Sequence, residues 1–162
     1  MFSSPLLRLA EVVLAEARAR RLRIATAESC TGGLIGGLLT EVPGSSDVFE
    51  RGFIVYSNRA KSDMLDVPGD LIADMGAVSE PVARAMAEGA VANSHAHMAV
   101  AVTGIAGPGG GTALKPVGLV HIAAARENRS ILHEAHRFGD IGRSEVRMKT
   151  VEAALLLLLR ML

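Results

Sequence analysis

The sequence predicts an α/β domain, a three-layer α/β/α sandwich around a mixed, mostly parallel sheet. Three observations lead there. Unbroken apolar runs at Leu22 to Ala27 and Met98 to Val102 have the length and continuity of strands covered on both faces. Segments with helical spacing of apolar residues alternate with such runs, as crossover connections require. Finally, Val117 to Ala125 and Ser130 to Phe138 flank Arg126-Glu127-Asn128-Arg129, a hairpin connection that makes the sheet mixed.

Ser4-Pro5 has the form of an N-cap followed by proline at the first helical position. Leu6, Leu7, Leu9, Val12, Val13 and Leu14 continue that helix, and Arg18, Arg20 and Arg21 suit the negative end of its dipole. After the strand at Leu22 to Ala27, Leu34 to Leu39 starts a second helix, which Val42-Pro43-Gly44 ends. Gly52 to Tyr56 is a strand, and Ser57 to Lys61 opens a short helix toward Leu65. Asp66 to Asp70 is expected as a turn around Pro68-Gly69. Ser79-Glu80-Pro81 starts the next helix, with Val82, Ala83, Met86, Ala87, Ala90 and Val91 on one face. A last helix, Ser144 to Met161, turns Val146, Val151, Ala154, Leu155 and Leu158 inward. Its five consecutive leucines, Leu155 to Leu159, exceed one core-facing stripe and predict a homo-oligomer interface.

A chain of 162 residues fits a single domain spanning 1–162. Hydrophobic residues make up 49% and aromatic ones only 3%, so Ala, Val, Leu, Ile and Met must build the core. Lys plus Arg and Asp plus Glu are each 17, which removes any bulk attraction to nucleic acid or an anionic membrane. The lone cysteine, Cys30, excludes an internal disulfide and suits a reducing compartment. No secretory leader pattern opens the chain, and Val151 to Leu159 is too short to span a bilayer. A cytoplasmic location is expected.

Candidate chemistry begins at Thr26-Ala27-Glu28-Ser29-Cys30-Thr31-Gly32-Gly33, which sets a hydroxyl between a strand end and a helix start. Free amides of a first helical turn can stabilise an oxyanion, and Gly32 and Gly33 let a substrate approach the backbone. N-capping alone also explains Ser29. Cys30 is a rival nucleophile, since thiols at helix N-termini can be acidified, but a buried and inert thiol is the simpler reading. A nucleophilic serine needs a base. None of His95, His97, His121, His133 and His136 lies in a turn of catalytic shape. Lys61 follows a strand end near the sole tyrosine, Tyr56, where α/β domains gather their ligand sites. Desolvated, it would serve as a neutral amine. An ordinary surface lysine is the alternative.

Thr103-Gly104-Ile105-Ala106-Gly107-Pro108-Gly109-Gly110-Gly111 follows a buried strand and offers backbone amides to an anionic or ribose-bearing ligand. It has neither the P-loop nor the dinucleotide pattern. Arg143, near a helix start, suits phosphate binding or pairing with Asp140. The His95-x-His97 and His133-x-x-His136 pairs lack partner ligands at metal spacing, so no metal is expected.

Taken together, several blocks resemble the CinA C-terminal domain family. They are Ala27-Glu28-Ser29-Cys30-Thr31-Gly32-Gly33, Pro43-Gly44-Ser45-Ser46, Phe49-Glu50-Arg51-Gly52-Phe53 and Tyr56-Ser57-Asn58-x-x-Lys61. Gly76-Ala77-Val78-Ser79-Glu80, Thr103 to Gly110 and Lys115-Pro116-Val117-Gly118 continue the match in family order. The resemblance implies a stand-alone, PncC-like amidohydrolase that converts nicotinamide mononucleotide to nicotinate mononucleotide and ammonia without a metal or cofactor. It assigns Ser29, Tyr56 and Lys61 as catalytic. Cys30, Thr31, Gly32, Gly33, Thr103, Gly104, Ala106, Gly107 and Arg143 are the expected substrate contacts. Many members carry Gly-Asp-Arg before the last helix. Here Ile141-Gly142 separates Asp140 from Arg143, which matches the family arginine by its distance to Arg147. Longer members have a further N-terminal domain. The competing expectation is a non-catalytic nucleotide-binding or protein-interaction domain linked to competence and DNA damage.

Overall fold

Five strands form the centre of the molecule in a computed structural model that describes residues Met1–Leu162: β1 (Ile24–Glu28), β2 (Phe49–Ile54), β3 (Met98–Gly104), β4 (Leu119–Arg126) and β5 (Leu132–Arg137). Their order is β2-β1-β3-β4-β5. β1 pairs in parallel with both β2 and β3, whereas β4 is antiparallel to β3 and to β5. Four strands therefore run one way and β4 alone opposes them. The β4–β5 hairpin is the one read from the sequence, with Asn128 in the left-handed region at φ 61.

Six helices cover the sheet: α1 (Ser4–Ala19), α2 (Leu34–Glu41), α3 (Asn58–Leu65), α4 (Gly69–Met75), α5 (Glu80–Ala92) and α6 (Arg143–Met161). Strand alternation explains the three layers. Ile24, Met98, Val100, Val102, Val120 and Ile122 point to one face and pack with Leu14 of α1, Leu38 of α2 and Leu155 of α6. Ala25, Ala27, Ala99, Ala101, Ala123 and Ala125 point to the other face, against Leu65, Ile72 and α5. That second face is nearly all alanine, so the α5 backbone sits close to the sheet with Ala83, Ala87 and Ala90 between them. The low aromatic content is thus met by close approach rather than by bulk.

The structure moves several expected boundaries. Ser3, rather than Ser4, caps α1 through its side chain on the Leu6 N–H. β2 begins at Phe49, three residues before the predicted Gly52. The expected turn at Asp66 to Asp70 instead leads into α4, because Pro68 takes the N-cap position, where proline does not break a helix. Within the leucine run of α6, Leu155, Leu157 and Leu158 are buried in the chain's own core and Leu156 is substantially exposed. No helix is long and apolar enough to cross a membrane.

Chain direction explains where a site can form. From β1 the chain crosses one face through α2 to reach β2, then crosses the other face through α3, α4 and α5 to reach β3 on the far side of β1. A crevice opens at such a reversal, beyond the carboxyl ends of the strands. Ser29, Tyr56 and Gly104 all lie at that end.

Close packing of α5 gives one expected outcome. Glycine to alanine within a helix ordinarily stabilises by about 0.5–1 kcal/mol. At Gly89 an added Cβ would collide with the Leu65 carbonyl, whereas at Gly109 it would meet nothing within 4 Å. Gly89→Ala should cost about 2–3 kcal/mol in urea unfolding, and Gly109→Ala should stay within about 0.5 kcal/mol of wild type. Equal stabilities would contradict the packing.

Candidate active site

Ser29 follows the last residue of β1, and its N–H continues the ladder by donating to the Val102 carbonyl at 3.1 Å. The chain then turns through Cys30 and Thr31, with Gly32 at φ 55 and Gly33 at φ 102. Gly33, not Ser29, occupies the N-cap of α2. The hydroxyl of Ser29 is therefore not committed to capping. It faces Lys61, whose Nζ lies 3.0 Å from Ser29 Oγ.

Lys61 is placed by the start of α3. Ser57 caps that helix through Oγ on the Ala60 N–H, and the Lys61 N–H bonds the Ser57 carbonyl. The side chain runs back beneath the end of β2, where Nζ donates to the carbonyls of Val55 at 3.1 Å and Tyr56 at 3.4 Å. Only 2% of Lys61 is exposed, and no carboxylate lies within ion-pair distance of it. Burial without a counter-charge disfavours the ammonium and lowers the lysine below its ordinary 10.5. Nζ thus donates to three oxygens, the Ser29 hydroxyl and two backbone carbonyls, and to no carboxylate.

Burial has the opposite consequence for Cys30. Its thiol is pushed up to about 11, so it remains protonated and joins the core between the sheet and α6.

The cavity in front of Ser29 measures about 200 Å³ and is lined by Ser29, Cys30, Tyr56, Asn58, Lys61, Ala77, Val78, Thr103, Gly104, Ala106 and Arg143. It is smaller than the roughly 300–1,000 Å³ that encloses a drug-sized ligand. A small ring with one polar substituent suits it; the remainder of a larger molecule would lie outside. Thr103 Oγ1 donates to the Ala77 carbonyl at 2.8 Å, which ties the end of β3 to the wall formed by Ala77 and Val78. Gly104 is required by packing, since a Cβ there would come within 2.6 Å of Val120. At the mouth, Arg143 from the first turn of α6 donates to the Gly107 carbonyl at 2.8 Å and to the Tyr56 hydroxyl at 3.1 Å. Arg143 makes no ion pair with Asp140, so its charge is available at the entrance. Tyr56 is 65% exposed; its carbonyl touches the lysine while its ring edges the mouth.

The structure thus gathers Ser29, Lys61, Tyr56, Cys30, Thr103, Gly104, Ala106 and Arg143 around one cavity and leaves Thr31, Gly32, Gly33 and Gly107 outside its lining. The expectation of a glycine-borne oxyanion site is corrected in one respect. Glu28, only 1% exposed, accepts hydrogen bonds from the N–H groups of Gly33, Ile35 and Gly36 and from the Thr31 hydroxyl. The Gly32 N–H donates to the Ser29 carbonyl. Among these turn residues only the Cys30 and Thr31 N–H groups donate to no protein oxygen. Gly107 acts through its carbonyl on Arg143. Glu28, Arg147, Asn58, Ala77 and Val78 were not singled out as site residues from the sequence. A carboxylate closing an apolar strand just before a helix start was the available signal for Glu28.

The CinA C-terminal domain family matches residues 6–162. The chain belongs to that family. A putative competence-damage inducible protein of Caldicellulosiruptor bescii is 50% identical over 147 residues, which is 91% of this chain and 35% of that protein. A CinA-like protein of Syntrophobacter fumaroxidans is 51% identical over 154 residues, 95% of this chain and 36% of that one. The chain therefore spans about a third of the length of these relatives. Among solved structures, the competence/damage inducible protein CihA from Agrobacterium tumefaciens is 51% identical with a TM-score of 0.97, over 99% of this chain and 97% of that one. A CinA-superfamily protein from Escherichia coli is 30% identical with a TM-score of 0.92, over 100% of this chain and 94% of that one.

A buried lysine with a lowered pKa makes stability depend on pH. Between the lowered value in the folded domain and the unfolded 10.5, the unfolded chain holds a proton that the folded chain lacks, so stability rises with pH across that window. Below the window the full cost is present; above it the cost is gone. Urea unfolding of wild type and Lys61→Met from neutral pH to 10.5 should show this rise only in the wild type. Parallel curves would contradict a desolvated Lys61.

Proposed function

We propose that this CinA domain hydrolyses the carboxamide of nicotinamide mononucleotide, giving nicotinate mononucleotide and ammonia through an acyl-enzyme on Ser29. The observation that carries the proposal is the 3.0 Å contact between Ser29 Oγ and a lysine that is 2% exposed and has no carboxylate partner. The neutral amine takes the serine proton as Oγ attacks the amide carbon. The carbonyl oxygen becomes an oxyanion held by the Cys30 N–H at the cavity wall, a donor of a kind worth about 10²–10³ in rate. Lys61, now an ammonium, returns its proton to the departing nitrogen, which leaves as ammonia. A water then gives its proton to the same amine and attacks the acyl carbon, releasing the carboxylate and restoring Ser29.

Substrate choice draws on family membership and on the division of the site. A small cavity with Thr103 and Gly104 in its lining suits the pyridine ring and carboxamide. Arg143 at the mouth suits a phosphate that stays outside. Tyr56 contributes at two points, with its carbonyl holding the lysine and its hydroxyl accepting from Arg143. The substrate is a metabolite of the cytoplasm, where the reaction would belong to pyridine nucleotide salvage.

Ammonia release from nicotinamide mononucleotide should be measurable in the wild type. It should fall by at least about 10³-fold in Ser29→Ala and Lys61→Ala, in line with loss of a nucleophile or its base. Wild-type turnover should rise with pH as Lys61 loses its proton. Tight binding of the mononucleotide by a wild type that releases no ammonia would instead favour the binding-domain reading.

A further inference from the structure

The turn bearing Ser29 is held from two sides. In a trans peptide the C=O of one residue and the N–H of the next point in opposite directions. The Ser29 carbonyl accepts from the Gly32 N–H at 3.1 Å, which turns the Cys30 N–H the other way. The Cys30 carbonyl accepts from Arg147 Nε at 3.0 Å, which likewise turns the Thr31 N–H away from Arg147. Arg147 Nη2 also holds the Thr31 carbonyl at 3.2 Å. Arg147 comes from the second turn of α6, 116 residues along the chain from Thr31, so these contacts are long-range rather than part of the turn itself. On the other side Glu28 takes the amides of Gly33, at the N-cap, and of Ile35 and Gly36 in the first turn of α2.

We propose that Arg147 and Glu28 are positioning residues for the oxyanion. Arg147 fixes the Cys30–Thr31 and Thr31–Gly32 peptides, and the Gly32 N–H of the second holds the Ser29 carbonyl, which keeps the Cys30 N–H turned away from that carbonyl. Glu28 occupies the amides of Gly33, Ile35 and Gly36, which removes them as competing donors and leaves the Cys30 N–H facing the cavity. Its bond from the Thr31 hydroxyl, at 2.7 Å, links the two clamps through one residue. This inference rests on the acyl-enzyme reading above. It adds that the donor is preorganised by side chains that touch neither substrate nor nucleophile. Neither residue lines the cavity.

The test separates positioning from substrate identity by using an active-site probe as well as the amide. An alkyl fluorophosphonate is attacked by Ser29 Oγ at phosphorus; fluoride leaves, the serine proton passes to Lys61, and the phosphonyl oxygen occupies the oxyanion site. Labelling rates and, for nicotinamide mononucleotide, kcat and KM are measured for wild type, Arg147→Met, Arg147→Lys and Glu28→Gln, with Ser29→Ala as the unlabelled control. The expected result for Arg147→Met is a fall of about 10²-fold in both labelling rate and kcat. KM and the midpoint of the pH profile should stay put, because Lys61 and the cavity wall are untouched. Arg147→Lys, which keeps one donor and the charge, should recover part of that loss, and Glu28→Gln should lose less than Arg147→Met.

Wild-type labelling in folded Arg147→Met, or a rise in KM at constant kcat, would overturn the proposal. Should Arg147→Met not fold, unchanged labelling in both Arg147→Lys and Glu28→Gln would overturn it equally. A wild type that is labelled at Ser29 but releases no ammonia would refute the substrate while leaving the variants' labelling rates to decide the positioning. A wild type that is not labelled at all would overturn both.

Discussion

Everything distinctive about this domain depends on keeping the amine of one lysine out of water. Lys61 has no opposite charge to compensate it, and its three contacts are a serine hydroxyl and two backbone carbonyls. A buried, uncompensated ammonium is costly, so burial lowers the lysine below its ordinary 10.5. The cost is met by the surroundings. Val55 is fully buried behind the lysine, Leu65 anchors the far end of α3, and the Ser57 cap fixes the turn from which the side chain departs. In the proposed mechanism, stability given up at Lys61 is what would make Ser29 reactive.

The sheet places the two partners. Ser29 and Lys61 are 32 residues apart and meet because β1 and β2 are parallel neighbours ending at one side. β3 then joins on the opposite flank of β1 and brings Thr103 and Gly104 to the same crevice. The alanine face beneath α5 lets that helix lie close, so the segment of Ala77 and Val78 just before it can wall the cavity through the Thr103 bond. α6 reaches over from the opposite layer with Arg143 at the mouth and Arg147 behind the serine turn. Both layers therefore converge on the ends of three strands.

Much of this was legible in the sequence, for identifiable reasons. Apolar runs bounded by glycine and proline gave the strands, and the Arg126 to Arg129 connection gave the hairpin that makes the sheet mixed. Ser29, Tyr56 and Lys61 stood out because each lies where an apolar run stops at a residue able to do chemistry. The bonding of Glu28 was not legible. Its partners Gly33, Ile35 and Gly36 are backbone amides, and no side-chain pattern announces which amides a carboxylate will reach. Arg147 was equally hidden, since its acceptors are carbonyls more than a hundred residues away. α4 was missed because Pro68-Gly69 has turn composition and only the surrounding packing selects a helix. The burial of most of the leucine run of α6 was hidden for the converse reason. α6 packs on both the sheet and α1, so more than one stripe of it is buried within a single chain.

The most direct measurement is an NMR titration of the lysine side chains by their 13Cε and 15Nζ resonances. The chain has only three lysines, Lys61, Lys115 and Lys149, so assignment needs a single variant. One resonance should titrate below the ordinary 10.5 and vanish in Lys61→Met, while the other two remain. If all three titrate at the ordinary value, Lys61 is an ammonium at neutral pH, and the account of Ser29 activation is contradicted.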